Sequence, residues 1–343
     1  MNLHLFVPDI FWPDGSQTDI YQHLKLPALE TILAKSNCSE AEGGALEAWL
    51  CKIFNVSKQQ DWPVAPIMLQ CEENKMKTGE NYWLRADPVH LRIENNHMLL
   101  GDNQVLNISL EEANSFTTSI NQFFSDDGIV LLPLHADRWY VKCDETPELR
   151  TFLLSQVVGK NINSFLPCGK EGVTWNSRIN EIQMFLYEHP LNRNREERGE
   201  LPVNSIWVWG GGVRPLEVHT SYTCIWGNHV LIHALTAMGK VACYDLPEIA
   251  DKILNYDDNS GDQLIVLDNL QKYACYRDAY NWRNELMKME QNWFYPLLQA
   301  LKKRQIHQLK LTVVNENSTR DFVLTYSSLW KFWATVHPLG GYS

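Results

Sequence analysis

The chain has 343 residues, 45% of them hydrophobic and 21% charged, which fits a globular protein of one large or two ordinary domains and excludes a disordered one. Its formal net charge of −11 argues against non-specific nucleic-acid binding and against docking on an anionic membrane, since both need a basic face. No run approaches the roughly 18 apolar residues of a membrane helix, and the start, MNLHLFVPDIFWPD, lacks the basic n-region of a secretory leader.

In chain order, residues 3–7 read as a first strand ending close to Asp9. Residues 82–85, 89–93 and 97–100 read as short strands separated by polar turns. Ser109, with Glu112 three residues on, has the capping-box pattern and opens a helix running to about residue 124. Asp127-Gly128 then turns into a strand at 129–132, and 138–142 makes another. This ββαββ-like block predicts an antiparallel α+β module at residues 76–179, inserted into a domain formed by 1–75 and 180–343.

The C-terminal half alternates strands and helices. Residues 206–209 read as a strand, and 228–238 as a helix closed by Gly239. A short strand at 240–244 and a helix at 247–254 follow, with Pro247 in its first turn. After a strand at 263–267 comes a long helix, about 279–303. Its apolar residues Trp282, Leu286, Met289, Trp293, Leu297 and Leu301 recur at spacings of three and four. Pro296 is expected to kink or split it, and 308–314 is a last strand. Strands separated by helices imply a parallel sheet covered on both faces.

Eight cysteines lie scattered with no CxxC pair, so zinc-ribbon and thioredoxin-like motifs are not indicated. Reduced core thiols and a cytoplasmic location are expected. Gly210, Gly211 and Gly212 end the 206–209 strand. They read either as a tight strand exit or as a phosphate-cradling loop, although neither GxGxxG nor GxxxxGK[ST] is present. EHPLNRNREERG, residues 188–199, gathers His189, Asn192, Arg193, Arg195 and Arg198. Guanidinium groups grip carboxylates and phosphates in two-pronged fashion. The plainer alternative is a solvated helix end with Glu188, Glu196 and Glu197 as local partners. In WLRADPVHL, Asp87 and His90 suggest a metal or acid–base pair. A structural Asp-Pro turn with Arg85 paired to Asp87 is the simpler alternative.

These stretches resemble the RpfE-type regulatory proteins of bacteria, through DWPVAPIML (61–69), YWLRADPVHL (82–91), DRWYVK (137–142), the run from 180 to 212 and LIVLDNL (264–270). More distantly the chain is similar to the archaeal-type cofactor-independent phosphoglycerate mutases of the alkaline phosphatase superfamily. The order of pieces is shared: a first strand ending in Asp, a PALETILAK helix (27–35), the capped helix before a strand, VGKNINSFLPCG (158–169), and EHPLN before a strand and glycines. The resemblance implies an alkaline-phosphatase-like parallel sheet flanked by helices, carrying the inserted module.

The mutases use a serine nucleophile and two divalent metals held by Asp and His residues. Asp9 fits the first metal aspartate. Where the mutases carry further ligands, this chain reads Lys272-Tyr273-Ala274-Cys275 and Asn315-Glu316-Asn317-Ser318-Thr319. The resemblance therefore implies a catalytically degenerate relative without metal or other cofactor, acting by binding a phosphorylated small molecule or a protein partner. Asp9, His189, Asn192, Arg195, Asn204 and the three glycines are its candidate ligand residues. The alternative is a phosphotransferase or phosphatase with a rearranged manganese or zinc site built from Asp9, Asp87 and His90, with Asp268 or Glu316 substituting for the missing ligands. A role for tryptophan-rich surface in protein contacts is a third expectation, given 13 tryptophans.

Overall fold

The computed structural model describes residues 1–72, 81–125, 130–256, 261–315 and 317–342. The expected Asp127-Gly128 turn, the boundary at 75/76 and Glu316 lie outside them. Twelve strands occur among the described residues: β1 (Asn2–Pro8), β2 (Asn37–Glu42), β3 (Tyr82–Glu94), β4 (His97–Gly101), β5 (Leu131–His135), β6 (Arg138–Cys143), β7 (Ser205–Gly212), β8 (Cys224–Trp226), β9 (Ala242–Tyr244), β10 (Asp262–Val266), β11 (Gln308–Val314) and β12 (Ser318–Thr325). They divide between two compact units, one of Met1–Trp49 with His219–Ser343, the other of Leu50–Val218.

The first unit holds a seven-stranded sheet ordered β2-β12-β11-β1-β10-β8-β9. β1 runs parallel to β10 and β11, and β8 runs parallel to β10 and β9. The antiparallel pair β12 and β2 closes one side, and neither strand was anticipated from the sequence. Leu3, Leu5 and Val7 of β1 enter the main core together with Trp282, Leu286, Met289, Leu297 and Leu301. β1 is buried on both faces, as parallel strands require.

The long helix is split into Ala279–Met289 and Tyr295–Lys302 by a wide turn at Glu290–Phe294, just ahead of Pro296. A proline lacks the N–H that would bond the carbonyl four residues back. Here that carbonyl, on Asn292, accepts from Ala250 N–H at 2.9 Å. The helix Val230–Gly239 ends on left-handed Lys240 rather than on Gly239 as its cap, and the helix expected at 247–254 is confined to Asp251–Leu254.

The second unit is built on an antiparallel sheet in which β3 is the spine. β3 is one continuous strand, where short strands broken at Asp87-Pro88 were expected. On one edge it pairs β6 through Tyr82–Arg85 and β4 through His90–Glu94. Pro88 falls in the interval between those partners, where its missing N–H breaks no ladder. On its other edge β3 pairs antiparallel with β7. The 206–209 strand therefore belongs to this sheet and not to the parallel one. Its pairing also carries 180–218, and with it 50–72, into the second unit, beyond the 76–179 span expected for the module. The helix Leu110–Phe123 carries the capping box as read, with Ser109 and Glu112 bonded reciprocally.

Candidate functional site

In open α/β sheets, ligands bind beyond the carboxyl ends of parallel strands. In the first unit those ends present Asp9 after β1, Asp268 after β10 and Asn315 after β11. The register sets Pro8 beside Val314, and Phe6 beside Val266, so these three residues leave neighbouring strands at one rim. Asp9 adopts a left-handed backbone, φ 56°, unusual for a residue with a side chain. Two bonds hold it there: its N–H donates to Val314 O at 3.0 Å, and its carbonyl accepts from Trp282 Nε1 at 2.9 Å. Asp268 precedes the helix Asn269–Cys275 but makes no side-chain bond to that helix start.

Two asparagines at strand ends are engaged in the fold. Asn315 Oδ1 accepts from Asn317 N–H and Ser318 N–H, at 3.0 and 2.7 Å, and closes the turn into β12. Asn228, beyond β8, accepts from Leu246 N–H at 2.9 Å.

The remaining candidates lie in the second unit, apart from Asp9, and most are engaged in holding that unit together. His189 caps the helix Pro190–Glu197, its Nδ1 accepting from Leu191 N–H at 3.3 Å. Its ring lies against Phe116 and Phe185, and burial pushes its imidazole below the usual range. Asn192 donates to Leu186 O and Val203 O at 2.8 Å and accepts from Val203 N–H at 2.9 Å. Arg195 is wholly buried. It donates to Leu201 O, to Leu106 O and, at 2.8 Å, to Glu112. Its nearest carboxylate is thus the capping-box Glu112, with Glu200 at 3.6 Å, and not Glu188, Glu196 or Glu197. Burial works to raise Glu112, but hydrogen bonds from Ser109 N–H and the arginines carry it below the usual range. Asn204 brackets the backbone of Leu91, accepting at 2.7 Å and donating at 2.8 Å.

The three glycines are packed rather than open. A Cβ on Gly211 would stand 2.4 Å from the Tyr82 hydroxyl, and one on Gly212 2.6 Å from Pro63 Cβ. The three glycines are the last residues of β7 rather than a loop beyond it, and side chains fill the space a Cβ would take at each.

Asp87 and His90 do not form a metal pair. Three residues apart on one strand, they point to opposite faces. Asp87 Oδ1 accepts from Arg85 at 2.7 and 2.9 Å, and Oδ2 accepts from Trp209 Nε1 at 2.7 Å. Burial pushes its carboxyl up to about 6, against the pull of Arg85 and the Trp209 bond. His90 donates to Pro202 O at 2.9 Å. The Arg85–Asp87 pair read from the sequence is present, within a strand rather than a turn.

A two-cation cage gathers carboxylates and imidazoles at one place. Among the described residues no three His, Cys, Asp or Glu side chains converge in that way. Among the described residues the ends of β1, β10 and β11 contribute two carboxylates and a committed asparagine, a set that does not fit such a cage.

No family model matches the chain. Curated relatives do. A 2,3-bisphosphoglycerate-independent phosphoglycerate mutase of Methanosarcina mazei is 31% identical over 137 residues, 38% of this chain and 34% of that enzyme. Its counterpart from Methanosarcina barkeri is 46% identical over 59 residues, 17% of this chain and 15% of that enzyme. The matches thus span about a third or less of the relatives' length. Among solved structures, the cofactor-independent phosphoglycerate mutase of Thermoplasma acidophilum superposes with a TM-score of 0.50 at 11% identity, covering 99% of this chain and 94% of that one. A protein of Pyrococcus horikoshii gives 0.54 at 10% identity over 94% and 87%. Over the matched segment the chain is homologous to these phosphoglycerate mutases, and over most of its length it shares the fold of the cofactor-independent enzyme. Among the described residues no helix is long and apolar enough to cross a membrane.

Proposed function

We propose that the chain is a catalytically degenerate relative of these mutases that acts by binding, in the manner of the RpfE-type regulatory proteins it resembles. The observation that carries this reading is the composition of the sheet rim. Asp9, held in a left-handed backbone, stands where the resemblance puts a first metal aspartate. Beyond β11 stands Asn315, whose side chain is spent on its own turn, and the helix after Asp268 starts with Asn269, bonded to Glu285 at 3.0 Å. Among the described residues the ends of β1, β10 and β11 offer two carboxylates and no imidazole, too few to neutralise a phosphoryl group in transfer. Half-buried, they can still contact a polar ligand. His189, Asn192, Arg195 and Asn204 are engaged in the fold of the second unit, whereas Asp9 and Asp268 share the carboxyl rim at which such sheets take ligands.

Three measurements on protein purified without chelator test this: metal content, interconversion of the phosphoglycerates with added manganese or zinc, and titration calorimetry against a panel of phosphorylated metabolites. The expected result is substoichiometric metal and no turnover, with any metabolite affinity abolished by Asp9→Asn. Stoichiometric metal with turnover would overturn the reading in favour of a rearranged phosphotransferase site, which Asp9 and Asp268 on adjacent strands would then anchor.

A further inference from the structure

The sheet of the first unit ends in an unusual edge. β2 pairs with β12 along its whole length, Asn37 opposite Val323 through Glu42 opposite Ser318, and is the last strand on that side. All six of its residues are exposed. Its sequence, NCSEAE, has two acids and no base, and Glu40 and Glu42 enter no ion pair among the described residues.

An open edge presents a row of backbone donors and acceptors ready to pair with another strand. Beside it stands an exposed aromatic turn: Trp330 is 69% exposed, Phe332 90% and Trp333 69%. The turn is fixed against the start of β2. Lys331 Nζ donates to Asn37 Oδ1 at 2.7 Å, and Lys35 Nζ donates to Leu329 O at 2.6 Å. Three large aromatics side by side in water are costly unless something covers them.

We propose that the open edge of β2 and the Trp330–Trp333 turn together form a docking surface for an extended, basic segment of a partner protein, which adds to the sheet as a further strand. Main-chain bonds to β2 supply the pairing. Lysine or arginine side chains of the incoming segment meet Glu40 and Glu42, and the aromatic rings offer faces for cations and apolar area for the stems. Charge selects the occupant. A second copy would bring an acidic strand against an acidic strand on chains of net charge −11, which like-charge repulsion opposes.

The probe is a short peptide of alternating lysine and valine, with a glutamate–valine peptide as control, followed by backbone amide resonances and tryptophan fluorescence of the full chain. The expected result is binding of the basic peptide alone, with resonance changes confined to residues 37–42 and 329–333. Affinity should fall about tenfold or more with Glu40→Lys plus Glu42→Lys and again with Trp330→Ala plus Trp333→Ala. N-methylation of alternate peptide residues should abolish it, since that removes the main-chain donors. All four side chains are exposed, so the variants should fold, and unchanged melting temperatures check this. No binding, equal binding of the acidic peptide, or resonance changes elsewhere would overturn the proposal. So would concentration-dependent dimerisation with resonance changes at residues 37–42, which would assign the edge to a second copy. The sheet-rim reading stands or falls separately, since none of these variants touches Asp9 or Asp268.

Discussion

At the scale of single residues, the first unit depends on two buried polar groups that no motif marks. His4, on β1, sits between Tyr222 and Thr312, its Nε2 2.6 Å from Thr312 Oγ1. Thr312 gives its only hydroxyl proton to Asp321, which Lys310 also approaches at 2.8 Å. Nε2 of His4 must therefore donate, and Nδ1 accepts from the Tyr222 hydroxyl. Both ring nitrogens are used by the neutral form. Burial beside Trp49, reinforced by Lys310, pushes the imidazole down to about 3.

A folded pKa below the unfolded one means that the unfolded chain takes up the proton first as pH falls. Stability is then complete above the ordinary 6.5 and declines below it. Thermal melts from about pH 8 to pH 5 should lose about 2 kcal/mol through this group. His4→Gln, which can still bond both hydroxyls, should flatten that slope; an unchanged slope would assign the pH dependence elsewhere. Glu290 is the second such group. Its two carboxylate oxygens accept from Ala28 N–H and Leu29 N–H at 2.7 and 3.0 Å, capping the helix Pro27–Lys35, whose own N-cap is Leu26. Glu290→Ala leaves two buried donors unpaired and should cost about 2–4 kcal/mol in denaturant unfolding, while Glu290→Gln should recover part of it.

At the scale of elements, what was legible in the sequence is what is local. The capping box at Ser109, the apolar periodicity of 279–303 and the parallel strands at 3–7, 263–267 and 308–314 depend on residues within a few positions of one another. β7 was placed in the wrong sheet because SIWVWGGG is as apolar as a parallel strand. Only its pairing with β3, more than a hundred positions away, decides its sheet. EHPLN reads as a ligand block for a related reason. Arg195 and Asn192 are polar and clustered, but their partners, Leu106, Glu112 and Val203, are distant in sequence or backbone groups, and spacing cannot reveal either.

The glycine exit of β7 gives the matching test. Gly211→Ala would push a methyl into Tyr82 and Leu84 on the neighbouring strand and should cost about 1–3 kcal/mol. Gly199→Ala is the control. That glycine has a positive φ, unlike Gly211, and meets nothing within 4 Å, so its cost should be confined to the backbone term. A negligible cost at Gly211 would mean that Tyr82 and Leu84 yield to the methyl and that packing does not fix the end of β7.

At the scale of the whole molecule, each unit carries a core of its own. Leu3, Trp282 and Leu297 belong to one cluster and Trp139, Trp175 and Val208 to the other, with no residue shared. A domain needs its own buried apolar set to fold alone. The second unit, Leu50–Val218, is one continuous stretch, and its sheet is complete within it: β3 finds β4, β6 and β7 inside that stretch. Residues 50–218 expressed alone should therefore give a cooperative thermal transition and the dispersed amide spectrum of a folded sheet. Truncation at 50–179 should not, because it removes β7 from one edge of β3 and takes away Asn192 and Arg195, which tie the helix Pro190–Glu197 to Val203 and Glu112. If the shorter piece folded as well as the longer one, β7 would be an accessory to that sheet and the module would close at 179, as the sequence pattern suggests.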